Sequence, residues 1–206
     1  MNTAYFLRHG KLQLPYSSHS EMPSSVLQAL GVNTLNPSPD MEFLRSHLAV
    51  IQKAVPFEKI SRIYTSPSKR TVETAFFLAC HMNKNPLPIE TLPYIREIPF
   101  DLDILFSHTE KKNNTIHTIN ERILSALVHN EKGCENINSV YQRIQKTYQL
   151  LQSRRETVLL ITHGFFLRAV EVYAQREHNN TALLYNNLIN AVSDCYFGTV
   201  SVPIKT

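Results

Sequence analysis

Residues 158–164 read Val158-Leu159-Leu160-Ile161-Thr162-His163-Gly164, an apolar run that stops at a histidine and a glycine. The run shows no alternation of polar and apolar residues, which is the pattern of a strand covered on both faces. Helices must then lie on both sides of it, and the flanks supply them. Upstream, Ile137, Val140, Tyr141, Ile144, Tyr148 and Leu151 recur at helical spacing, as on the inward stripe of a long amphipathic helix. Downstream, Phe166, Ala169, Val170 and Tyr173 mark the inward face of another.

The rest of the chain repeats this alternation. Residues 4–7 form a short buried strand that ends at Arg8-His9-Gly10, and residues 60–65 form another that ends at Ser66-Pro67. Serine followed by proline is a helix start signal, and Val72, Ala75, Phe76 and Ala79 follow it on one helical face. Ser38-Pro39 carries the same signal ahead of Met41, Leu44, Leu48, Ile51 and Val55, which predicts one helix ending before Pro56. Residues 11–39 read as a long loop holding a short helix over 25–30. Residues 89–92 read as a brief strand, and 113–130 as a helix within a polar excursion. Residues 192–202 read as a β-rich tail broken near Gly198. Strands alternating with amphipathic helices predict an α/β fold, a three-layer α/β/α sandwich around a mostly parallel sheet. A chain of 206 residues suits a single domain spanning 1–206.

Composition narrows the function. Hydrophobic residues make up 43% and charged residues 18%, the profile of a globular protein. The net charge is +4, yet Lys and Arg are scattered, so no nucleic-acid partner is expected. No run approaches the length of a membrane span and residues 1–6 lack the features of a secretion signal, so neither a membrane nor an export route is expected and the cytoplasm is the default location. Cys80, Cys134 and Cys195 fit no metal or disulfide spacing and read as reduced thiols. His19, His47, His81, His108, His117, His129 and His178 show no metal-ligand spacing either.

Two histidines differ. In open α/β sheets the ligand site lies outside the carboxyl ends of the strands, and three polar clusters fall there: Arg8-His9-Gly10, the Ser66 to Arg70 segment, and His163-Gly164. Two guanidinium groups and two imidazoles on one rim suit a phosphoryl group.

These motifs resemble the histidine phosphatase superfamily, also called phosphoglycerate mutase-like. Its amino-terminal L-R-H-G is matched by Leu7, Arg8, His9 and Gly10. Its S-P-x-x-R segment leading into a T-A pair is matched by Ser66, Pro67, Arg70, Thr74 and Ala75, and its apolar strand ending T-H-G by residues 159–164. The resemblance implies that His9 is the nucleophile, forming a phosphohistidine, that Arg8 and Arg70 hold the transferring oxygens, and that His163 completes the pocket as a hydrogen-bond donor. It implies a metal-independent reaction, with no cofactor, and a glutamate proton donor matched by Glu97, with Asp101 and Asp103 as alternatives. Two arginines beside His9 should oppose its protonation, and a bound phosphate dianion should favour a cationic His163. Gly10 is expected to leave room for the phosphate.

Some positions depart from the family pattern. Where many members read R-H-G-E-T-x-x-N, with the asparagine on phosphate, this chain has Lys11 and then Pro15, so one pocket contact is missing or replaced. Glu135, in Gly133-Cys134-Glu135, receives no role. A variable cap is expected around 100–134, where Lys111 and Lys112 could meet an anionic substrate, and Phe165 lies beside the pocket. The expected activity is hydrolysis of a phosphomonoester, on a small molecule or a phosphoprotein. The alternatives are a phosphoglycerate mutase and, from another class, a phosphate-sensing or protein-binding module. Substrate and oligomeric state stay open.

Overall fold

The structure, a computed structural model, describes residues 3–16, 21–82, 87–106, 116–174 and 199–203. Its sheet contains β1 (Thr3–Arg8), β2 (Arg62–Thr65), β3 (Ile89–Thr91), β4 (Val158–Thr162) and β5 (Thr199–Pro203) in the order β3-β2-β4-β1-β5. All neighbours are parallel except β5, which runs antiparallel on the edge of β1. The fold is α/β with a mostly parallel sheet, as expected from the unalternated run in β4, all of whose residues are buried.

Successive β4 side chains alternate between two cores. Val158 and Leu160 join Ala4, Phe6 and Tyr64 on one face, under α7 (Ile137–Arg154) and α8 (Gly164–Ala174). Leu159 and Ile161 join Leu7 and Ile63 on the other, under α2 (Met41–Ser46), α3 (Leu48–Ala54) and α4 (Lys69–Met82). Each buried aliphatic side chain contributes roughly 1.5–3 kcal/mol relative to exposure, so a polar substitution at Leu160 would open one core while leaving the other intact.

The helix expected over 38–55 is two helices. Asp40, not Ser38, caps the first, its carboxylate accepting the N–H groups of Glu42 and Phe43. The break falls at His47, which stacks on Phe43 with ring centroids 4.0 Å apart and donates Nδ1–H to the Phe43 carbonyl at 2.8 Å. The Phe43 carbonyl there accepts both the His47 side chain and, at 3.2 Å, the His47 backbone N–H. Pro39 pairs with Leu12 in an isolated antiparallel bridge, flanked by Gln13 N–H to the Ser38 carbonyl at 2.9 Å and Asp40 N–H to the Lys11 carbonyl at 2.6 Å. The ends of the long loop after β1 are thus stapled together.

Within that loop α1 (Ser24–Gly31) matches the short helix expected there, and it packs away from the sheet. With α5 (Leu102–Leu105) and α6 (Ile116–Val128) it forms a third cluster, from Leu27, Leu102, Leu105, Phe106, Ile119, Ile123 and Ala126. The Gln28 side chain ties the pieces, accepting from Leu102 N–H at 2.6 Å and donating to Asp101 at 2.9 Å. The segment around 100–134 therefore shares its core with a helix from the first loop. Residues 107–115, with Lys111 and Lys112, and most of the expected tail, including Cys195 and Gly198, lie outside the described residues, as do His19, His108 and His178. Among the described residues no helix is long and apolar enough to cross a membrane.

Candidate active site

Strand register brings the polar clusters together. Arg8 pairs with Thr162 and Thr65 with Ile161, so His9, His163 and Ser66 leave three adjacent strands at the same rim. The ladder continues one step beyond the strands, through His9 N–H to the Thr162 carbonyl at 2.9 Å and Ser66 N–H to the Ile161 carbonyl at 3.1 Å. The rings of His9 and His163 consequently meet edge to face, with centroids 5.2 Å apart.

Their partners fix their tautomers. His9 is buried, and its Nδ1 lies 2.7 Å from the Gly10 carbonyl. A carbonyl only accepts, so Nδ1 carries the proton and the lone pair of a neutral ring is on Nε2. His163 takes the opposite tautomer, with its proton on Nε2. Its Nδ1 accepts Nε–H from Arg70 at 3.3 Å, and its Nε2 lies 2.8 Å from Ser66 Oγ and 3.3 Å from Ser68 Oγ. Burial, then the positive charges of His9, Arg70 and Arg8, hold His163 well below the ordinary histidine value. A cationic His163 would set a proton against the Arg70 donor, so the ligand-free site strongly disfavours the charged form that the sequence associates with bound phosphate.

Arg70 lies in the first turn of α4 and is 4% exposed. Burial, with the charge of Arg8, lowers its pKa, while Glu97 opposes the shift; a guanidinium keeps its proton in a protein. Thr74, one turn on, donates to the Arg70 carbonyl at 2.7 Å and accepts Gly10 N–H at 3.2 Å, which locks α4 against the segment after β1. The T-A motif thus has a physical reason: a hydroxyl here and a small residue behind it, the fully buried Ala75.

The two glycines that follow the histidines face different neighbours. A Cβ on Gly10 would stand 2.7 Å from Leu44 Cδ2, so the packing of α2 against this turn gives the glycine a reason of its own. A Cβ on Gly164 would stand 3.4 Å from Arg8 Cζ, so the Arg8 guanidinium lies along the start of α8.

Glu97 lies close enough to Arg70 and Arg8 to feel both charges, and its carboxylate is held by backbone donors. Its Oε1 accepts Ile98 N–H at 3.0 Å and, from the first turn of α8, Phe166 N–H at 3.1 Å. A carboxylate at a helix N-terminus satisfies one of its orphan donors. Burial raises its pKa, and the two backbone donors, Arg70 and Arg8 pull the other way. The alternatives are otherwise engaged: Asp101 caps α5, accepting from Asp103 N–H and Ile104 N–H, and Asp103 is exposed on that turn. Lys11 sits 5.8 Å from the centroid of the Phe43 ring, and Phe165 packs edge to face on Phe100 at 5.8 Å.

Three contributors have no signal in the motifs. Arg143 of α7 donates Nη1–H to the carbonyls of Tyr94 and Arg96, both at 2.9 Å, and stacks 4.8 Å over the ring of Phe166. It thereby braces both the segment that carries Glu97 and the helix turn that Glu97 caps. Glu135, to which the sequence gives no role, balances Arg143 at 2.6 Å and also meets Arg96 and Ser139. Asn36, from the loop before α2, accepts from Lys69 N–H and from Arg70 Nη1. Among the described residues no group of three or more His, Cys, Asp or Glu side chains could hold a metal ion.

The profile described as histidine phosphatase superfamily (branch 1) matches residues 45–191, most of the chain. The chain belongs to the histidine phosphatase superfamily. Solved structures of similar fold include YhfR of Bacillus stearothermophilus, with 23% identity over 85% of this chain and 80% of that one at a TM-score of 0.55. Phosphoserine phosphatase from Entamoeba histolytica, in complex with 3-phosphoglyceric acid, shares 16% identity over 98% of this chain and 90% of its own at 0.57. The mycobacterial glucosyl-3-phosphoglycerate phosphatase Rv2419c, complexed with VO3, shares 16% over 90% and 87%, also at 0.57. No curated protein matches the chain. Membership of the histidine phosphatase superfamily gives the rim its context: both histidines, both arginines and Glu97 stand within one small volume at the ends of β1, β2 and β4.

Proposed function

We propose that this protein is a metal-independent phosphatase that hydrolyses a phosphomonoester through a phosphohistidine on His9. The observation that carries the reading is the bond from His9 Nδ1–H to the Gly10 carbonyl. It leaves the Nε2 lone pair for attack on phosphorus and places an acceptor against the positive charge that the ring gains once Nε2 is phosphorylated.

In the first step Nε2 of His9 bonds to phosphorus, the phosphorus–oxygen ester bond breaks, and protonated Glu97 gives its proton to the leaving alkoxide. In the second, water attacks the phosphohistidine, Glu97 takes a proton from that water, and the nitrogen–phosphorus bond breaks to release inorganic phosphate. Arg8 and Arg70 balance the charge of the transferring oxygens. His163 steers Arg70 through Nδ1 and exchanges Ser66 for a phosphoryl oxygen at Nε2–H. The raised pKa of Glu97 supports its use as an acid that is still protonated when the ester arrives.

The test is turnover of an aryl phosphate in the presence of a chelator, native protein against His9→Ala. The expected result is phosphate release without added metal, a phosphoenzyme that survives alkaline quench, and loss of both in the variant. Activity that requires divalent metal, or persists in His9→Ala, would sink the mechanism. Two similar phosphatases described above are named for phosphoserine and for glucosyl-3-phosphoglycerate, so small phosphorylated metabolites are the first substrates to screen, with phosphoproteins second.

A further inference from the structure

Asn36 belongs to a stretch that the sequence presents only as loop. Its Oδ1 lies 3.1 Å from the backbone nitrogen of Lys69 and 3.4 Å from Arg70 Nη1. Both partners are donors with no lone pair to offer, so the amide must turn its oxygen to them. The NH2 group then points away from α4, and since Asn36 is exposed it is not sealed inside the protein. Arg70 is almost fully buried, with Nε committed to His163. An anion that reaches this guanidinium therefore comes to the terminal nitrogens, on the edge where the Asn36 amide stands. The position is held by chain and not by chance: the bonds from Gln13 to Ser38 and from Asp40 to Lys11 fasten the residues after Asn36 to the segment that follows His9.

We propose that Asn36 is a phosphate-binding residue, its Nδ2–H donating to the phosphoryl group held by Arg70. The inference rests on the reading of the rim as a phosphoryl-transfer site. Asn36 then supplies, from a different part of the chain, a neutral donor beside Arg70, whose Nε and Nη1 already meet protein partners.

Two variants separate this role from that of a prop for Arg70. Asn36→Asp keeps the acceptor for Lys69 and Arg70 and removes the donor, whereas Asn36→Ala removes both. Inorganic phosphate is titrated by calorimetry against wild type, both variants and Arg70→Ala, with circular dichroism confirming that each is folded. The expected result is a loss of affinity of roughly tenfold or more in Asn36→Asp, since a donor to a charged group is replaced by a like charge, and a smaller loss in Asn36→Ala. Phosphate binding in Asn36→Asp as tight as in wild type, with Arg70→Ala weakened, overturns the role of Asn36 and spares the phosphatase reading. Wild type that neither binds phosphate nor releases it from an aryl ester overturns both.

Discussion

Arg70 donates its Nε–H to Nδ1 of His163 across 3.3 Å; that bond fixes the tautomer of the second histidine, while burial, then the charges of His9, Arg70 and Arg8, keep the ring from taking a second proton. The folded-state value of His163 lies below its unfolded value of about 6.5. Below that pH the unfolded chain takes up a proton that the folded one refuses, so stability falls with decreasing pH by up to about 1.4 kcal/mol per unit. The expected outcome is a urea midpoint lower at pH 5 than at pH 7.5, with a shallower dependence in His163→Gln. A nitrogen-15 spectrum showing a protonated His163 ring at pH 7 without ligand would contradict it.

Glu97→Gln separates chemistry from folding. Glutamine keeps an oxygen for Ile98 and Phe166 N–H but has no proton to give. Turnover of an alkyl phosphate should fall about 10²- to 10⁴-fold, and that of p-nitrophenyl phosphate much less, because its leaving group needs no acid. Because the folded-state pKa of Glu97 is raised, the native carboxyl loses stability as pH rises from its unfolded value, about 4.3, through the folded one. The variant should therefore unfold no earlier than wild type at pH 7. Equal rate losses on both esters would argue against a proton donor.

Gly10→Ala should destabilise by about 1–3 kcal/mol, the cost of overpacking, because its new methyl meets Leu44 at 2.7 Å. Gly164→Ala should be tolerated, its methyl meeting Arg8 at ordinary contact distance. Denaturant midpoints of the two variants provide the comparison, and equal midpoints would refute the packing account of Gly10.

Arg143→Met leaves the buried Glu135 carboxylate with only Arg96, which is itself 42% exposed, and Ser139. Breaking such a pair costs about 3–5 kcal/mol. Replacing both partners, Arg143→Met with Glu135→Met, should recover much of that loss, and a double-mutant cycle measures the coupling.

The parts of this molecule that could be read from its residues are those whose cause is local. Leu159, Leu160 and Ile161 announce a strand buried on both faces because each must pack against something, and His9, Arg70 and His163 follow strand ends at motif spacing. The parts that could not be read depend on what lies opposite. The break at His47 is invisible because Leu44, Leu48 and Ile51 keep helical spacing across it, so the apolar pattern reads as one helix. The close packing of Leu44 on Gly10 is equally hidden, because nothing in a sequence says which side chain faces a glycine. Asn36 and the Glu135–Arg143 pair act on residues far away in the chain, Arg143 through backbone carbonyls whose use no residue type reveals.

The staple at Leu12 and Pro39 carries one more consequence. Because the two ends of the excursion are already closed on each other, extra length inside it adds little entropic cost, rising only with the logarithm of its size. α1, which shares its core with the 100–134 segment, hangs on that closed ring. Changes in α1 should therefore be felt first through Leu27 and Gln28 by Leu102, Leu105 and Asp101, while the closed staple shields the registration of His9, Arg70 and His163 from them.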